Sequence, residues 1–257
     1  MLRYYQEEAL AQIALYPRCL VKMFCGTGKS LVIARTTAQH EGLSVVVFPS
    51  LALIAQYAGA AALDGNARVL SVSSETLDAF RSTTCVREVE DFVSVGACGR
   101  AQGPRLVLVT YQSLGVLVRA LSAAQVQAAV VCYDEAHHVV SPEYQKRVFG
   151  QAFAAREVFF TATPRNEYGI VMYDRSAAAP AAGAAGAAGA AGALAYEYTY
   201  LDGLRDGHLN AFDVCVDMYT EDACASIYKA MARAMMQRGT ARCLTFHTAV
   251  NLSLIHI

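Results

Sequence analysis

Two short clusters in this chain carry residue types that do chemistry together. The first is Cys25-Gly26-Thr27-Gly28-Lys29-Ser30. It follows the apolar run Leu20-Val21-Lys22-Met23-Phe24 and precedes a stretch of helical character, the strand–loop–helix setting of a phosphate-binding loop. Gly26 and Gly28 let the backbone curl so that its N–H groups face phosphate oxygens. The helix that follows adds a partial positive charge at its start. Lys29 supplies a full charge for β- and γ-phosphates, and Ser30 a hydroxyl for Mg²⁺. Met23 stands where the longer form of this motif has its first glycine, so only the GxGKS core matches. Cys25 reads either as a loop spectator or as a thiol activated by Lys29 and the helix start.

The second cluster is Asp134-Glu135-Ala136-His137-His138, at the end of the apolar run Val130-Val131-Cys132-Tyr133. A buried strand that delivers two carboxylates to its end suits Mg–nucleotide chemistry. Adjacent strand residues point to opposite faces, so the two take different tasks. Asp134 is expected to hold Mg²⁺ and Glu135 to polarise the attacking water as general base. The same residues allow a second reading, a transition-metal site built from Asp134, Glu135, His137 and His138.

Elements able to position these clusters are legible over residues 1–175. Short apolar runs at 20–24, 44–49, 67–72, 105–110, 129–134 and 157–161 read as strands buried on both faces. Helical stretches at 29–39 and 50–61 alternate with them. This predicts a doubly wound parallel sheet of α/β class, with ligands at the carboxyl ends of the strands. Residues 176–195 break the pattern with Ala-Ala-Gly repeats and read as a disordered low-complexity insertion. Alternation resumes with expected strands at 196–201, 212–218 and 242–246 and a helix near 221–238, the start of a second α/β unit over 196–257.

Composition excludes some classes of function. The net charge of −1 argues against a polybasic nucleic-acid binder, though not against a cleft with a few placed donors. Eight cysteines include no CxxC pair, so no structural zinc is indicated, and several sit in apolar runs as reduced core thiols. A reducing, intracellular setting is the expectation, cytoplasmic, nuclear or viral. The first eight residues turn acidic before any apolar stretch, unlike a secretion signal. No apolar run is long enough for a membrane span.

With these residues in view, the chain resembles superfamily 2 helicases of the DEAD/DEAH type, most closely the ResIII branch of restriction-enzyme helicase subunits. Residues 25–30 resemble motif I of that family and Asp134–His137 motif II in its DEAH form. Thr161-Ala162-Thr163-Pro164 resembles motif III. The order GTGKS, DEAH, TATP is the specific part of the likeness. The resemblance implies a RecA-like P-loop NTPase followed by the beginning of a second RecA-like domain. It implies that Gln6, in Leu2-Arg3-Tyr4-Tyr5-Gln6, reads the nucleotide base. It also implies that His137, Thr161 and Thr163 couple the nucleotide site to nucleic acid. Phe48-Pro49-Ser50-Leu51-Ala52-Leu53 resembles motif Ia and Val109-Thr110-Tyr111-Gln112-Ser113-Leu114 motif Ib, which places Pro49, Ser50, Thr110, Tyr111 and Gln112 on a nucleic-acid track. Capping and packing explain Ser50, Thr110 and Tyr111 equally well. Residues 242–246 resemble motif IV.

The expected activity is therefore ATP hydrolysis with Mg²⁺, driving movement on nucleic acid, DNA in preference to RNA; the alternative is a motor subunit of a restriction or remodelling complex. The family's late arginine pattern, Gln-x-x-Gly-Arg-x-x-Arg, is absent, and Ser253-Leu254-Ile255-His256-Ile257 does not read as a natural domain end. The expectation is a truncated motor that turns over slowly by itself, or a nucleotide-binding fragment without turnover. A nucleotide kinase or GTPase would leave the TATP segment unexplained.

Overall fold

A computed structural model describes residues 2–60, 67–75, 80–94, 103–140, 148, 153–165, 172, 191–212, 233, 236 and 237. The elements run α1 (Tyr4–Ala14), β1 (Arg18–Met23), α2 (Lys29–Ala38), β2 (Leu43–Phe48), α3 (Leu51–Ala60), β3 (Arg68–Val72), β4 (Arg81–Ser82) and α4 (Val86–Ser94). They continue with β5 (Arg105–Thr110), α5 (Leu114–Ala124), β6 (Val130–Tyr133), a 3-10 turn (Ala136–Val140), β7 (Glu157–Thr161), β8 (Ala193–Tyr198) and α6 (Tyr200–Arg205). Eight strands form one sheet in the order β4-β3-β5-β2-β6-β7-β1-β8. Every pairing is parallel.

Alternation along the strands divides the apolar residues between two cores, one on each face of the sheet. Val45, Val47, Val107, Val109, Val131 and Phe159 face α4 and α5, meeting Val89, Val93, Leu114, Leu117 and Leu121. Their neighbours Val46, Phe48, Leu108, Val130, Cys132, Val158 and Phe160 face the other way, against Tyr5, Ile13, Val32, Ile33 and Ile54. The doubly wound α/β fold expected from the apolar runs is thus present, and six of its strands lie within two residues of the expected bounds.

The later part of the chain departs from expectation. The strand expected at 196–201 is β8, and it does not open a second unit. It pairs with β1, Cys19 opposite Ala193 and Met23 opposite Tyr198, so it lies in the first sheet. One compact unit spans Met1–Asn210. The expected boundary at 175 gives way because the apolar face of residues 193–198 is buried against the β1 edge. Nor does the low-complexity tract run as far as 195. Ala191 is buried and donates its N–H to Met172 O. Gly192, at φ +81, lies so close to Arg18 O that a Cβ there would stand 2.4 Å away. Residues 176–190 lie outside the described residues. Of the unit Ala211–Ile257, residues 211, 212, 233, 236 and 237 are described, the last three with helical backbone. The strand expected at 212–218, apart from Phe212, and that expected at 242–246 fall outside them.

Candidate nucleotide site at the carboxyl ends of β1, β7 and β6

Strand order brings the two chemical clusters together. β7 lies between β1 and β6, pairing Lys22 with Thr161 and Phe159 with Tyr133. The loop after Met23, the residues after Tyr133 and the end of β7 therefore share one edge of the sheet.

The loop curls through two left-handed glycines, Gly26 at φ +79 and Gly28 at φ +82. Gly28 caps α2, so Lys29 and Ser30 form its first turn, where N–H groups have no intrahelical acceptor. A Cβ on Gly28 would stand 2.5 Å from Gln6 Nε2. Thr27 is buried, and its hydroxyl donates to Phe24 O at 2.6 Å. Thr27 O in turn accepts from Tyr5 Oη at 2.9 Å and from Gln6 Nε2 at 3.1 Å. The other end of the Gln6 amide accepts from Arg3 N at 2.9 Å. Gln6, expected to read a base, is engaged by the loop itself. Cys25 and Ser30 are exposed on it.

β8 and α6 supply parts of this site that the sequence did not announce. The Tyr5 ring stacks on Tyr198 at 3.9 Å, and Tyr198 Oη donates to Asp206 Oδ2 at 2.8 Å. Tyr4 Oη donates to the same carboxylate. Leu209 reaches the loop, 3.5 Å from where a Gly26 Cβ would lie. The signal available beforehand was the run of tyrosines at 196, 198 and 200, without any indication of its partner.

Lys29 Nζ lies 3.5 Å from Met23 O and 3.7 Å from Glu135 Oε1. Asp134 is buried, its N–H donating to Val47 O at 2.9 Å. Burial, and next the Glu135 charge, push its carboxyl up to about 6, against the opposing Glu135 N–H and Lys29. Glu135 has φ +44, a left-handed conformation unusual for a residue with a side chain. His137 Nδ1 is 3.4 Å from Glu135 Oε2 and 3.2 Å from Thr161 Oγ1, which also accepts from Thr163 N at 3.1 Å. Burial first, then His138, lower the His137 pKa, so the ring is neutral at pH 7 and its contact with Glu135 is not an ion pair. Among the described residues no group of three or more His, Cys, Asp or Glu side chains is arranged to hold a metal. Likewise no described helix is long and apolar enough to cross a membrane.

A concavity lies farther along the same edge. It measures about 210 Å³ and is lined by Pro49, Ser50, Leu51, Ser74, Thr110, Gln112 and Ser113. Four of the five residues expected on a nucleic-acid track meet here, with Ser74 as an addition. Tyr111 does not. Its ring is buried against Tyr133, and its hydroxyl donates to Asp134 O, so stacking on a base is excluded for this conformation.

Residues 1–166 match the family model for the res subunit of type III restriction enzymes, ResIII. The chain belongs to the ResIII family. No curated protein matches this ResIII chain. Among solved structures it is similar to a nuclease-deletion mutant of the type ISP restriction-modification enzyme LlaGI in complex with a DNA substrate mimic. That likeness has 19% identity and a TM-score of 0.63, over 94% of the ResIII chain and 23% of LlaGI. The chain therefore spans about a quarter of that relative's length. It is also similar to the Hef helicase domain of Pyrococcus furiosus, with 19% identity, a TM-score of 0.44 and coverage of 63% and 33%. The UvsW helicase of bacteriophage T4 follows with 16%, 0.46, 63% and 52%. The likeness to LlaGI, at a TM-score of 0.63, shows that the ResIII chain shares its fold.

Proposed function

We propose that this chain carries the ATP-hydrolysing motor domain of a translocase or helicase that acts on DNA in preference to RNA. The observation that carries the reading is the meeting of Lys29, Asp134, Glu135, His137 and Thr161 at the ends of three adjacent strands. The choice of DNA follows the DNA substrate mimic bound by LlaGI.

The loop fits a triphosphate. Two left-handed glycines expose backbone N–H groups, and a Cβ at Gly28 would have to displace the Gln6 amide. Lys29 neutralises phosphate charge. Ser30 and Asp134 would hold Mg²⁺, which supplies positive charge at the phosphate oxygens when bound. Asp134, buried beside Glu135, is a carboxyl whose ionised form gains from a cation. Glu135 orients the attacking water and takes its proton, while Gln6 and Tyr5 hold the loop from behind. His137 and Thr161 tie Glu135 to the end of β7.

Glu135→Gln separates binding from chemistry. The expected variant retains a fluorescent ATP analogue and loses roughly 100- to 10,000-fold in DNA-stimulated turnover. Turnover equal to the parent's would remove Glu135 from the mechanism. A parent that binds nucleotide with no turnover, with or without DNA, would favour a nucleotide-binding role instead.

A further inference from the structure

Tyr111 stands between the Pro49–Ser113 cleft and the candidate nucleotide site. It stands between Thr110 and Gln112, both of which line the 210 Å³ cleft, yet only 2% of its own surface is exposed. Its N–H donates to Phe48 O at 3.0 Å, and its hydroxyl donates to Asp134 O at 2.9 Å. Its ring lies 6.4 Å from Tyr133 at 17°, and Tyr133 stacks on Phe159 at 4.6 Å and 8°. One residue thus touches the ends of β5, β2 and β6.

The carbonyl that accepts its hydroxyl matters. Asp134 C=O and Glu135 N–H belong to one planar peptide group, so fixing the direction of that carbonyl restrains φ of Glu135. That φ is +44°, a value held by a residue with a side chain only where its surroundings over-determine it. The Asp134 N–H is anchored on Val47 O and its carbonyl on Tyr111. Moving the β5–α5 turn moves the second anchor.

We propose that Tyr111 is a positioning residue that transmits occupancy of the Pro49–Ser113 cleft to the Asp134–Glu135 peptide. The inference rests on the expectation that Pro49, Ser50, Thr110 and Gln112 lie on the nucleic-acid track, and on the proposed role of Glu135 in orienting water. A DNA strand seated against Thr110 and Gln112 shifts the turn, and the Tyr111 hydroxyl carries that shift to the carboxylate.

Thermodynamic linkage tests this without turnover. The affinity of the full chain for a fluorescent Mg–ATP analogue is measured with and without a short DNA duplex, in the parent and in Tyr111→Phe. The parent is expected to show a change of about fivefold or more, within the usual range of coupling between sites. In Tyr111→Phe each ligand alone binds within about twofold of the parent, and the coupling falls below about twofold. Tyr133→Phe removes a hydroxyl of the same stack that points away, toward Glu157 at 3.3 Å, and is expected to keep the coupling. Unchanged coupling in Tyr111→Phe, equal loss in Tyr133→Phe, or a parent that binds both ligands without coupling overturns the inference. A parent that binds neither overturns the functional reading itself.

Discussion

Lys29 Nζ and Glu135 Oε1 face each other across 3.7 Å, so the lysine of the phosphate loop and the carboxylate after β6 are each other's counter-charge. The Lys29 side chain is 10% exposed and that of Glu135 26%. A triphosphate entering the loop competes with Glu135 for Lys29. Removing the Glu135 charge is therefore expected to tighten nucleotide binding. A partly exposed ion pair contributes about 0.2–1 kcal/mol, so the gain is up to about fivefold. Lys29→Ala acts in the opposite sense, losing about 10- to 100-fold for one charge-assisted contact. Titration with a fluorescent ATP analogue reads both, and weaker binding by Glu135→Gln would contradict the competition.

A side chain at Gly28 is disfavoured on two grounds that a pair of variants can separate. Its φ of +82° costs a residue with a Cβ about 1–2 kcal/mol, and that Cβ would meet Gln6 Nε2 at 2.5 Å. Gly28→Ala is expected to lower stability to urea, and adding Gln6→Ala to restore only the steric part. Full recovery in the double variant would mean that the left-handed backbone is not required.

Asp134 makes the fold less stable where its carboxyl is ionised. It titrates near 6 in the folded chain, against an ordinary 3.8. Between these values the folded state holds more protons than the unfolded one, so stability falls as pH rises through that window, and the full penalty is present above it. In Mg²⁺-free buffer Asp134→Asn is expected to gain on the order of 2–3 kcal/mol at neutral pH. The gain shrinks as the pH is lowered toward the ordinary carboxylate range. Urea melts across that range check the sign, and a destabilised Asn variant at neutral pH would refute it.

Thiol labelling reports on the loop directly. Cys25 and Cys85 are exposed, whereas Cys19 and Cys132 are buried. Burial pushes the Cys19 thiol up to about 12 and also raises Cys132. Alkylation at neutral pH, followed by peptide mass spectrometry, is expected to mark Cys25 and Cys85 rapidly, and Cys19 and Cys132 only on unfolding. Nucleotide should slow Cys25 and leave Cys85 unchanged. Equal rates at Cys25 with and without nucleotide would place the phosphates elsewhere.

Much of this was legible beforehand because buried parallel strands declare themselves as unbroken apolar runs. Val45, Val46 and Val47 are apolar in succession since both faces of β2 meet helices. The loop glycines and Lys29 were legible for a related reason, as few residue types fit a phosphate cradle. What stayed hidden was partnership. The tyrosines of residues 196–200 announce an element but not that it would stack on Tyr5, 193 positions away from Tyr198 in the chain. Tyr111 sits in a segment that reads as a track for nucleic acid, and only the strand order, which sets β5 one strand away from β6 across β2, shows that its ring turns inward to Tyr133. The helix α1 was missed because residues 2–6 were read for a binding role, while the burial of Tyr5, Ala9 and Ile13 on one face is what makes 4–14 helical.

The position of β8 bears on how the chain is made and cut. The family match closes at residue 166, but the sheet closes only at Tyr198. A nascent or trimmed chain that stops at the family boundary leaves β1 as an open edge, with unpaired backbone groups from Cys19 to Met23 ready to recruit another strand. It also lacks Tyr198 behind Tyr5 and Leu209 against Gly26. On the ribosome the phosphate loop emerges early, yet its surroundings are complete only some 180 residues later, once Leu209 has followed Lys29 out. Until then the protein is a sheet awaiting its last strand, and its exposure to aggregation is set by the time needed to synthesise the stretch between β7 and β8.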